Sequence, residues 1–63
     1  MPKISLKAAR VNARLTLIEA ARLLGIGKDR LIKWEKHSGL VPPVWQQKIS
    51  AVYKMPLDMI YFG

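Results

Sequence analysis

Apolar positions along this chain recur at intervals of three and four residues. None of its segments sustains a two-residue alternation, so the predicted elements are helices and no sheet is expected. Ser5 suits the N-cap of a first helix over Leu6 to Ala13, with Leu6 and Ala9 on one face, Arg10 and Ala13 a turn further on, and Lys7 and Arg14 pointing elsewhere. Thr16, with Glu19 three residues later, has the spacing of a capping box and opens a second helix. Ala20, Leu23 and Leu24 are its expected buried face, and Gly25 is the expected left-handed residue at its end. Ile26 is apolar within a turn and is expected to tuck into the core, and Gly27 is a tolerable N-cap for the next helix.

A third helix is predicted from Lys28 to about Lys36, with Leu31, Trp34 and Glu35 towards the inside. At 100° per residue Asp29, Lys33 and Lys36 fall on the opposite side, and Lys28, Arg30, Ile32 and His37 lie on the flanks. His37-Ser38-Gly39 ends this helix, and Pro42-Pro43 bars helix through the next loop while Pro43 suits the first turn beyond it. A fourth helix over Val44 to Lys54 is expected to bury Trp45, Ile49, Val52 and Tyr53. Met55-Pro56 breaks it, and Leu57 to Tyr61 reads as a last single turn with Leu57 and Ile60 packing back. The fold class is therefore all-α: one domain over residues 1–63, a compact bundle of four to five short helices.

The second and third helices are joined by so short a turn that they must cross steeply. A steep crossing needs a small residue where the backbones meet, and Ala21, four residues before Gly25, supplies it. Ala20, Leu24, Ile26, Leu31 and Trp34 complete a set of seven positions that meet the steric demands of a helix-turn-helix.

In these residues the chain resembles the lambdoid-phage repressor and Cro family of helix-turn-helix DNA-binding domains. The segment LGIGKDRLIKWEK is similar to that family's turn and recognition helix, and Leu57-Asp58-Met59-Ile60 to its closing motif. The resemblance covers nearly the whole chain. It implies a domain of about five short helices and sequence-specific transcriptional control. It also implies a partly buried ion pair between Arg10 and Glu35, tying the first helix to the end of the recognition helix. An unpaired carboxylate near the inner face at Glu35 would be costly, so the pairing is physically sensible, with a role in orientation more than in net stability. The bland alternative is two unrelated solvated charges. The chain departs from the family where phage repressors often carry a phosphate-holding glutamine after the second helix's N-cap, because Leu17 stands there. That contact must be lost or supplied by another group, such as a backbone N–H at the helix start. Asp29 on the outer face is a second oddity, since it repels phosphate.

Composition narrows the partner. The 63 residues carry eleven Lys and Arg against four Asp and Glu, a net charge of +7, which favours an anionic partner such as nucleic acid or an acidic membrane surface. There is no cysteine, hence no disulfide and no thiolate metal site, and a lone histidine makes zinc untenable. No signal-peptide pattern and no run of the roughly 20 apolar residues that span a bilayer occurs, so a soluble, cytoplasmic protein is expected. No triad, carboxylate dyad or phosphate-cradling loop is present, so the chain is not expected to be an enzyme or to hold a cofactor or small-molecule ligand.

The expected function is sequence-specific binding of an operator in double-stranded DNA. Lys33 is the leading candidate for a base contact, since lysine donates to guanine O6 and N7, and Lys28 and Arg30 stand near enough to reach bases or phosphates. Asp29 either accepts from cytosine N4 or complements the helix N-terminus. Ile32 either meets a thymine methyl or extends the core. Lys36, His37 and Ser38, with the helix start at Leu17, are the candidate phosphate contacts. Trp34 and Trp45 at helical spacing read as core rather than as stacking platforms for single strands. One recognition helix reads few base pairs, so a homodimer is expected at least on DNA, with Trp45, Met59, Tyr61 and Phe62 as the contact surface. Two rivals stand beside this reading. One is a helix-turn-helix interaction module, an antitoxin or adaptor that binds protein and only non-specific DNA. The other is a membrane-surface peptide, which needs one continuous amphipathic helix that Gly25, Gly27 and Pro42-Pro43 interrupt.

Overall fold

The computed structural model describes residues 3–63. The chain forms four α-helices, α1 (Leu6–Asn12), α2 (Leu17–Leu24), α3 (Lys28–Lys36) and α4 (Pro43–Tyr53), with 3-10 turns at Ser38–Leu40 and Leu57–Met59. Among the described residues there is no strand; a single parallel bridge joins Ile4 to Ile60. No helix among them is long and apolar enough to cross a membrane.

The helix starts follow local side-chain chemistry. The Ser5 hydroxyl accepts from the Ala8 amide at 3.0 Å. Thr16 Oγ1 accepts from the Glu19 amide at 3.1 Å while Glu19 Oε1 accepts from the Thr16 amide at 2.9 Å, the reciprocal bonds of a capping box. The Thr16 amide, and then the Thr16 hydroxyl, hold the Glu19 carboxyl below its ordinary pKa. Pro43 occupies the first turn of α4, where its missing N–H costs nothing.

Three helix ends share one closure. After α2, the Gly25 amide donates to the Arg22 carbonyl and the Ile26 amide to the Ala21 carbonyl, with Gly25 left-handed at φ 75°. After α1, Arg14 donates to Val11 and Leu15 to Arg10; after α4, Lys54 donates to Ala51 and Met55 to Ser50. Each is a Schellman motif, in which a left-handed residue lets the next amide reach back to an orphan carbonyl. Glycine serves only α2; Arg14 (φ 60°) and Lys54 (φ 52°) adopt the same conformation at α1 and α4. The next residues along the chain, Leu15, Ile26 and Met55, all turn inward against the core.

That core is Leu6 and Ala9 from α1, Ala20, Ala21 and Leu24 from α2, Leu31 and Trp34 from α3, Val41, Ile49 and Tyr53 from the loop and α4, and Ile60. Several expectations need correction. Leu23 is not buried; it is 60% exposed. The inward stripe of α2 is Leu17, Ala20, Ala21 and Leu24, and at 100° per residue Leu23 falls roughly a quarter-turn outside it. Trp45 and Val52 are half-buried against the core rather than inside it. Leu57 stays exposed while Ile60 is buried, because the 3-10 turn stops at Met59 and Ile60 is extended backbone bridged to Ile4. The helix bounds also shift slightly: α1 ends at Asn12, and α4 runs from Pro43 to Tyr53.

Candidate nucleic-acid interface

The nine residues of α3 divide sharply between inside and outside. Leu31 and Trp34 are buried, and the Trp34 ring packs on Trp45 of α4 with centroids 5.8 Å apart. Lys28, Asp29, Arg30, Lys33 and Lys36 are all exposed, as is His37 after them. Ile32 and Ser38 are half-buried. The helix thus presents four cations and one carboxylate to solvent from a scaffold fixed by two large apolar anchors. Its first turn begins at Gly27, which has no side chain to cap it, so the leading amides of α3 are open to an external acceptor. Asp29 in the first turn and Lys33 and Lys36 in the last turn complement the helix dipole.

The ion pair between Arg10 and Glu35 is formed. Arg10 Nε donates to Glu35 Oε2 at 2.7 Å, and the two side chains are only 11% and 10% exposed. The same guanidinium donates from Nη1 to the Leu15 carbonyl at 2.9 Å. One side chain therefore connects α1, the turn into α2 and the last part of α3. Charge-assisted bonds of this kind are short and directional, so they fix the roll of α3 as well as its position.

Tyr53 is legible from periodicity as core, but not as a neighbour of this pair. Its hydroxyl is buried with no hydrogen-bond partner. Burial, and then the negative charge of Glu35, push its pKa up to about 12, against an opposing pull from Arg10. Lys48 is a second residue that periodicity does not single out. Its Nζ lies 4.6 Å from the centroid of the Trp45 ring, a cation–π contact whose only sequence signal is the three-residue spacing of the two on α4.

Leu17 packs its side chain against the core and has nothing to hold a phosphate. The capping box uses the amides of Thr16 and Glu19, which leaves those of Leu17 and Ile18 without an acceptor in the helix. The surface expected to join two copies is also smaller than the sequence suggests. Tyr61 is exposed, but Trp45, Met59 and Phe62 are half-buried, Trp45 and Phe62 against the core. Among the described residues no three metal-ligating side chains come together. No protein-family model, curated protein or solved structure matches the chain.

Proposed function

We propose that this chain is a sequence-specific double-stranded DNA-binding transcriptional regulator, with α2 and α3 as its helix-turn-helix and α3 lying in the major groove of an operator half-site. The observation that carries the reading is the division of α3: Leu31 and Trp34 buried, with Lys28, Arg30, Lys33 and Lys36 free on the other side. The Arg10–Glu35 pair supports it, because a reading helix must hold its rotation if its side chains are to meet particular bases. In this reading Lys33 donates to guanine in the groove, and Lys28 and Arg30 act at its edge. Asp29 accepts from cytosine N4, and the uncovered part of Ile32 meets a thymine methyl. Lys36, His37 and Ser38, with the open amides of Leu17 and Ile18, take phosphates. Two copies on a pseudo-palindrome supply the specificity that one short helix lacks. Regulation then comes from occupancy: bound protein blocks polymerase or a competing regulator.

Selection of binding sites from random duplex DNA tests this. The expected result is a motif of two related half-sites about one helical turn apart. Salt-sensitive binding with no enriched motif would overturn it in favour of a protein-interaction module.

A further inference from the structure

The ends of α1, α2 and α4 meet around a groove of about 400 Å³ with a mixed lining, apolar at Ala13, Leu15, Leu23 and Val52 and polar at Asn12 and Lys54. No residue of α3 lines it. Leu23, 60% exposed, is the apolar side chain left most uncovered there. Cations stand in the lining or next to it in the chain. Lys54 lines it directly, Arg14 sits between the lining residues Ala13 and Leu15, and Arg22 precedes Leu23; all three are exposed. Two of them, Arg14 and Lys54, are the left-handed closures of α1 and α4. Glycine or asparagine takes that conformation more cheaply, while a cation just past a helix C-terminus complements the helix dipole, so each of these side chains has a local role beside any it plays at the groove. No carboxylate lines the groove. Glu19, one turn before Leu23, has its carboxylate engaged with the Thr16 amide.

We infer that this groove docks a protein partner that presents an apolar side chain flanked by carboxylates. The apolar part of the lining, where Leu23 stands uncovered, suits an apolar side chain, which a phosphate backbone does not offer. Lys54 in the lining, with Arg14 and Arg22 beside lining residues in the chain and no carboxylate among them, favours negative charge there. A second copy is disfavoured, since each carries a net +7 and a symmetric contact would bring Arg14 and Lys54 of both copies together. The inference is independent of the DNA reading, because the groove shares no residue with the outer face of α3.

The test is an NMR titration of the ¹⁵N-labelled full chain with a synthetic acidic peptide. Its leucines sit at helical spacing among aspartates and glutamates. Two control peptides replace the leucines by serine or the acids by asparagine and glutamine. The acidic peptide is expected to shift the amides of Ala13, Leu15, Leu23, Val52 and Lys54, and each control to bind at least ten-fold more weakly. Leu23→Ser, at an exposed position, is expected to cost a similar factor. The double variant Arg14→Asn with Lys54→Asn keeps residues that accept the left-handed conformation while removing both charges. Its melting temperature is expected to hold or rise while peptide affinity falls at least ten-fold. Unchanged affinity in that variant would overturn the inference. So would peptide shifts confined to Lys28–Lys36, equal groove shifts produced by a DNA duplex, or groove shifts that grow with protein concentration alone.

Discussion

Arg10 and Glu35, 25 positions apart in the chain, meet at 2.7 Å, and the guanidinium that makes this contact also holds the Leu15 carbonyl. Removing one partner therefore does more than delete a salt bridge. Glu35→Ala leaves a mostly buried guanidinium without its counter-charge, at a cost of about 3 kcal/mol. In a domain of this size that corresponds to a fall in melting temperature of more than about 10 °C. The paired replacement Arg10→Met with Glu35→Leu is expected to recover much of the loss, since no unpaired charge remains. Thermal melts followed by circular dichroism distinguish the two; equal loss in both variants would show that the attraction of the pair, or the Arg10 bond to the Leu15 carbonyl, carries the stability.

On DNA, Lys33 and Lys36 are expected to behave differently although both are exposed lysines of α3. Lys33→Ala should flatten preference at one base position, costing roughly 1–3 kcal/mol there. Lys36→Ala should weaken all duplexes alike and reduce the salt slope by about one. Binding isotherms on specific and scrambled duplexes at several salt concentrations measure both. Equal loss of specific and non-specific binding in the two variants contradicts the assigned rotation of α3.

Tyr53 predicts an alkaline limb in the stability profile. Its phenol titrates near 10 in the unfolded chain and at about 12 in the folded one. The unfolded state therefore releases the proton first, and stability present below pH 10 is lost progressively as pH rises from about 10 to 12. Tyr53→Phe removes a buried hydroxyl that has no partner, so it should leave stability at neutral pH unchanged or raised. It should also flatten the alkaline loss. Urea midpoints across pH 8–12 for the two proteins provide the comparison, and parallel curves would rule out Tyr53 as the source.

Gly25 separates backbone strain from packing. A Cβ there meets nothing within 4 Å, but the backbone sits at φ 75°. Gly25→Ala should therefore cost about 1 kcal/mol through conformation alone. Gly25→Asn should cost less, since asparagine visits the left-handed region more readily. If alanine and asparagine prove equally tolerated in chemical denaturation, strain at this turn is negligible.

What could be read from the chain was what neighbours decide. Ser5, the Thr16–Glu19 box, Gly25 and Pro43 each act within a few residues, and each stands where its chemistry predicts. Leu31 and Trp34 as anchors of α3 came from periodicity for the same reason. The misses are non-local. Leu23 is the exception, a local miss: at 100° per residue it already falls outside the stripe of Leu17, Ala20, Ala21 and Leu24. The left-handed turns at Arg14 and Lys54 carry no glycine to announce them. The orphaned Tyr53 hydroxyl beside the Arg10–Glu35 pair arises only when α4 is laid against α1 and α3. Of the candidate interface, the exposed row on α3 and its inner anchors were legible. The half-burial of Ile32, Ser38, Met59 and Phe62 was not.

The bridge at Ile4 bears on the order in which this protein assembles. Its amide donates to the Met59 carbonyl at 2.9 Å and its carbonyl accepts from the Tyr61 amide at 2.8 Å, so two hydrogen bonds close a loop that contains every helix. Helical turns form quickly from contacts close in sequence, while a closure this long must wait for the loop entropy to be overcome. Ile60, between those two bonds, is 1% exposed. This joint, which seals the interior, is therefore expected to close after the helices, so weakening it should speed opening more than it slows folding.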